Sequence, residues 1–197
     1  MPVHALPFTP AVEYTSSGTP SFSSGPWTLG YQFSTSVPFN VNALGYWDTS
    51  GVGIGLNNHQ VGIWDSVGTL LVTTTVLNTD PIQGHFQYHS ISIYTLSPGV
   101  YRIGGEYLGN FDPVPSNVVG FVPVPGFTWT TGAASGPGAG LTYPNNTGSG
   151  GLGPNDILVV GFSIGSAVAV PESSTLILLA AGLAGILGYG WRRKRAA

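Results

Sequence analysis

Short runs rich in Val, Ile, Tyr, Phe, Trp and Thr alternate with Gly, Pro, Asn and Asp clusters along residues 11–165. No long stretch there repeats apolar residues at the helical spacing i, i+3, i+4, i+7. This pattern leaves strands as the available element. It predicts strands at 27–33, 39–47, 59–64, 70–77, 86–94, 100–107, 118–122 and 157–164, with shorter pieces at 127–129 and 141–143. The turns between them have identifiable chemistry. Asp65-Ser66-Val67-Gly68 joins two runs, with glycine free to take positive φ. Ser97-Pro98-Gly99 turns through proline's fixed φ. Asn78-Thr79-Asp80-Pro81 punctuates another boundary. Many short antiparallel strands imply a jelly-roll-like β-sandwich. Residues 132–154 hold eight glycines, three prolines and no charge, and so read as a long loop or flexible insert.

Charge is scarce, at 7% of residues against the ~25% of an ordinary soluble domain. It is also segregated. Arg192, Arg193, Lys194 and Arg195 account for four of the five bases, whereas residues 1–171 carry seven acids against one base, a net of −6. Such a body offers no basic surface to phosphates, which argues against nucleic-acid binding. The absence of cysteine excludes disulfides, cysteine zinc sites and cysteine nucleophiles.

Residues 173–191 hold no ionisable group except Tyr189. As a helix they would span roughly 28 Å, close to the ~30 Å of a bilayer's hydrocarbon core. Tyr189 and Trp191 stand where interfacial aromatics gather, and the four cations follow at once. The positive-inside tendency then places 192–197 in the cytoplasm and the body outside. One C-terminal transmembrane α-helix, reached through a linker at 166–172, is therefore expected after the all-β body. An exported body needs a leader, yet Met1 to Pro10 has neither a basic start nor an apolar run. Val3-His4-Ala5 has the small residues of a cleavage site at −3 and −1. Residues 1–10 are therefore expected to be the end of a signal peptide whose start lies upstream.

Val170-Pro171-Glu172-Ser173-Ser174-Thr175, an apolar segment and then Arg192-Arg193-Lys194-Arg195 resemble the PEP-CTERM sorting signal of bacterial exported proteins, a segment also labelled an ice-binding protein C-terminal domain. The resemblance implies processing by the membrane enzyme exosortase. Pro171 and Glu172 match the first two positions of the family's motif, and Ser173 replaces its usual second proline. A second resemblance lies in the body. Trp27-Thr28-Leu29-Gly30-Tyr31-Gln32-Phe33, Asn42-Ala43-Leu44-Gly45-Tyr46-Trp47-Asp48, Asn58-His59-Gln60-Val61-Gly62-Ile63-Trp64-Asp65 and Gly68-Thr69-Leu70-Leu71 are similar to a β-sandwich domain of unknown function in exported bacterial proteins. It implies a jelly-roll-like or galactose-binding-like fold and supplies no catalytic residues.

Residues that could carry chemistry are few. His85 and His89 invite a metal, but four residues of strand separate them by ~13 Å, too far for one ion. Only a bulge, hinted at by the apolar phase moving from Phe86/Tyr88 to Ile91/Ile93, would bring them closer. Asp48, Asn57 and Asn58 offer oxygens that Ca²⁺ could use, although strand-end Asx turns account for them equally well. Glu106 and Asp112 can be drawn as a carboxylate pair without any supporting motif. Trp47 and Trp129 lie near loops, where an indole could stack on a sugar ring. The reading is a non-enzymatic surface or matrix protein without a cofactor. The alternative is a carbohydrate-binding module for exopolysaccharide, with Ca²⁺ as an optional ligand.

Overall fold

The computed structural model describes residues 8–18, 25–48, 57–109, 114–138, 140–147 and 160–165. The strands are β1 (Val12–Glu13), β2 (Ser16–Gly18), β3 (Trp27–Thr35), β4 (Phe39–Trp47), β5 (His59–Asp65), β6 (Leu70–Val76), β7 (Ile82–Gln83), β8 (Phe86–Leu96), β9 (Gly99–Tyr107), β10 (Ser116–Val119), β11 (Val122–Pro123), β12 (Phe127–Ala134), β13 (Asn146–Thr147) and β14 (Val160–Ile164). They form a six-stranded sheet ordered β13-β12-β3-β9-β5-β6 and a four-stranded sheet ordered β14-β4-β8-β7. Two ribbons, β1-β11 and β2-β10, complete the body, and all pairings are antiparallel.

Alternating apolar residues bring the two sheets face to face. Phe33 of β3 and Phe127 of β12 meet Phe162 of β14 with ring centroids 5.3 and 6.1 Å apart. His59 of β5 stacks on Tyr46 of β4 at 3.9 Å. Tyr31, Phe33, Phe86, Tyr88 and Tyr107 are wholly buried. At about 1.5–3 kcal/mol for each large apolar side chain removed from water, aromatic burial supplies a major stabilising term without disulfides.

Local chemistry explains the joints. The carboxylate of Asp65 accepts hydrogen bonds from the backbone N–H of Val67 (3.0 Å) and Thr69 (2.8 Å), and Gly68 takes φ 95°. The same backbone donors hold the Asp65 carboxyl below its ordinary range, the Thr69 bond contributing most. In β4 the single residue Asn42 stands opposite three residues of β8, Ile91 to Ile93. That is the bulge at which the apolar phase changes. It falls beyond His89 and leaves both histidines on one side of it.

Three expectations change. The run at 118–122 is broken at Gly120, whose φ of 70° ends β10 before β11 begins. Residues 132–134 are not the start of a free loop, because Gly132, Ala133 and Ala134 continue β12 and pair with Tyr31, Gly30 and Leu29. Residues 141–143 are not a strand but lie in an extended strap. The body also takes in Phe8–Pro10. Phe8 packs on Tyr88 at 5.2 Å, Pro10 bridges to Ser163, and Ile164 N–H donates to the Thr9 carbonyl at 2.9 Å.

That N-terminal segment closes one flank. Ala11 N–H donates to Phe162 O (2.8 Å), while Ala11 O accepts from Val124 N–H (3.0 Å). The free edge of β14 is thereby covered and tied to the β11 side. Compact units span Met1–Gly165 and Ser166–Ala197. The expected transmembrane segment falls in the second, outside the described residues; among the described residues no helix is long and apolar enough to cross a membrane.

Candidate functional site

On the six-stranded sheet a row of small residues, Ala133-Gly30-Gly104-Gly62, crosses four adjacent strands. The strap at 140–147 lies along it. A Cβ at Gly62 would meet Leu141 at 3.0 Å, and one at Gly104 would meet Pro144 at 3.3 Å. The strap is fastened by the body's one basic side chain. Arg102 Nη1 donates to Pro144 O at 2.7 Å, its Nε to Gln32 Oε1 at 3.2 Å, and its guanidinium lies 4.9 Å from the Tyr143 ring centroid. Tyr143 meets Trp64 edge-on at 6.2 Å. Thr142 N–H donates to Thr28 Oγ1 (2.9 Å), Thr142 Oγ1 to Ser135 Oγ (2.7 Å), and Gly140 N–H to Glu106 Oε1 (3.1 Å). Trp64 is 4% exposed.

Arg102→Ala should free this strap while leaving the core intact. Losing charge-assisted hydrogen bonds predicts amide exchange at residues 140–147 roughly tenfold to a hundredfold faster, with exchange at β3 unchanged. Unaltered exchange at Thr142 would show that the strap is held without Arg102.

The histidines are structural partners of carboxylates. His85 lies in the turn before β8. Its Nδ1 is 2.9 Å from Glu13 Oε2, and the ring stacks on Tyr14 at 4.5 Å. His89 Nδ1 is 2.9 Å from Asp80 Oδ2, an oxygen that also accepts from Leu77 N–H at 2.7 Å. Each contact favours the Nδ1–H tautomer. Among the described residues no three His, Cys, Asp or Glu side chains converge as a metal site. Asp48, 4% exposed, closes β4 and its N–H donates to His85 O (2.9 Å). Asn58 Oδ1 accepts from Asn78 N–H (3.1 Å), and Asn57 precedes it beside β5. The segment 49–56 that would join these residues into a calcium loop lies outside the described residues. Asp112 does too, so the Glu106–Asp112 pairing has no geometry here.

The two indoles differ from their loop-proximal reading. Trp47 is the last residue of β4, 4% exposed and part of the core, so it presents no stacking face to solvent. Trp129 is half-buried within β12 against the same core. Burial pushes the hydroxyls of Tyr31 and Tyr88 far above the ordinary tyrosine range, keeping both protonated. His59 was not among the sequence candidates. It is fully buried, and its Nδ1 lies 2.9 Å from Glu106 O. Its alternation with Val61 and Ile63 is the signal that places it inward.

Val170, Pro171, Glu172, Ser173 and the cations Arg192, Arg193, Lys194 and Arg195 all lie outside the described residues. Comparison with known families supplies the finding for this segment: residues 169–195 match the PEP-CTERM protein-sorting motif. Neither a curated protein nor a solved structure matches the chain.

Proposed function

We propose that this chain is a non-enzymatic surface or matrix protein, exported, held by a C-terminal membrane helix and then processed by exosortase. The carrying observation is the PEP-CTERM motif at 169–195, which implies an exported protein directed to exosortase. The motif's span includes Pro171-Glu172, the apolar segment and the four cations. The body's polar groups support the non-enzymatic part of the reading. Glu13 holds His85, Asp65 its own turn, Asp80 both His89 and Leu77 N–H, and Glu106 the strap. These carboxylates serve as fastenings of the fold. The sugar-binding reading now rests on the partly exposed ring of Trp129, since Trp47 is buried.

Membrane sidedness tests the proposal. Protease added to spheroplasts making the full chain should digest the body, and the same protease added to inside-out vesicles should remove only the basic tail. Digestion of the body in inside-out vesicles alone would place it in the cytoplasm and refute the reading.

A further inference from the structure

The two flanks of the sandwich are treated differently. On the β14 side, the segment from Thr9 to Ala11 covers the edge with backbone hydrogen bonds. On the opposite side β6 ends the six-stranded sheet, lying against β8 of the other sheet. β8 is blunted by its bulge and partly capped by β7, which pairs at Phe86 and Gln87. Among the described residues β6 has no covering strand, and its single irregularity lies near its start. Its backbone pairs with β5, and its other side has no partner among the described residues.

Exposed edges are usually guarded by lysine, proline, a bulge or a covering segment. From Ser66 to Thr79 there is no ionisable group and no proline, in a body that carries a net of −6. One irregularity falls at Leu71, between the pairs Ile63–Val72 and Trp64–Leu70. Beyond it Val72-Thr73-Thr74-Thr75-Val76 runs in regular register against His59–Ile63. Those five residues are a palindrome. Antiparallel pairing with a second copy about a two-fold axis at Thr74 would set Val72 against Val76, Thr73 against Thr75 and Thr74 against itself. Every cross-strand pair is then β-branched with β-branched, a favourable combination without like-charge repulsion. Val72 and Thr74 share the core-facing side with buried Val61 and Ile63, yet at the rim they are only partly buried. A continuing strand would cover them.

We infer that β6 is a self-association edge, whose partner is β6 of a second copy of this chain, paired antiparallel about Thr74. The joined six-stranded sheets would form one continuous sheet across the two-fold axis. This inference stands on the body alone and is independent of how the C-terminal segment is processed.

Cysteine crosslinking of the full chain in mild detergent tests it, because the native sequence holds no cysteine. Directly opposed residues have Cβ atoms ~4.5–5.5 Å apart, within easy adjustment of disulfide geometry. Thr74→Cys should therefore form a dimer under mild oxidation, roughly tenfold or more above Thr128→Cys, an exposed site on β12, through effective concentration alone. Thr74→Lys, which places a charge on the edge, should reduce the wild-type dimer to monomer while circular dichroism retains its β signature. Equal crosslinking at residues 74 and 128 would overturn the inference. So would a dimer that survives Thr74→Lys in a folded protein, because association would then lie elsewhere.

Discussion

Gly30→Ala should leave the body unable to fold stably, with a loss of at least ~4 kcal/mol, beyond the range of ordinary point substitutions. Gly30 lies in β3 directly opposite Gly104 of β9. A Cβ there would fall inside the carbonyl oxygen of Ile103 and 2.7 Å from Gly104 Cα. Both obstacles are backbone in a central strand paired on either side, so neither can swing away as a side chain would. Relief requires β3 and β9 to separate, which breaks a register running from Trp27–Tyr107 to Thr35–Gly99. Gly136→Ala is the matched control. A Cβ at residue 136 meets nothing within 4 Å. Its cost should stay within about 0.5 kcal/mol. Urea titration of both variants measures the difference; similar midpoints would mean that the β3–β9 packing described here is wrong.

Replacing Pro171 and Glu172 together by alanine should abolish processing while leaving the body folded. These residues lie near the start of the stretch that matches the sorting motif, residues 169–195, and precede the apolar segment. A proline biases the residue before it away from helix, which in the proposed function would leave the site accessible to an enzyme at the membrane surface. Alanine at both positions removes that bias and the carboxylate, and raises the helix propensity of the site. Electrophoresis of membrane fractions should show the full-length species accumulating in place of the shorter one. Processing at the wild-type level would show that exosortase does not read these two residues.

The longer strands were legible because they obey local rules. Alternation and the aromatics at its two ends, Phe39 and Tyr46-Trp47, locate β4, and Asp65 with Gly68 locates the turn between β5 and β6. The bulge in β8 was visible as a change of apolar phase. What escaped depends on partners far along the chain. β1, β7 and β13 have two residues each, too few to show any period. The strap reads as a glycine-rich loop because the group that fastens it, Arg102, lies 42 positions from Pro144. Trp47 looked available because it ends a strand, and its burial comes from the packed core around it. The sorting segment was readable for the opposite reason. It is defined by order along the chain, a short motif, an apolar run and a basic cluster, and needs no tertiary contact to be seen.

The most direct measurement is the mass of the protein's C-terminal peptide, taken from its own cells with and without the sorting enzyme. The expected result is a C-terminus near Pro171–Glu172 when exosortase is present and an intact end at Ala197 when it is removed. An intact Ala197 end in both would contradict it, and would make residues 173–191 a permanent anchor.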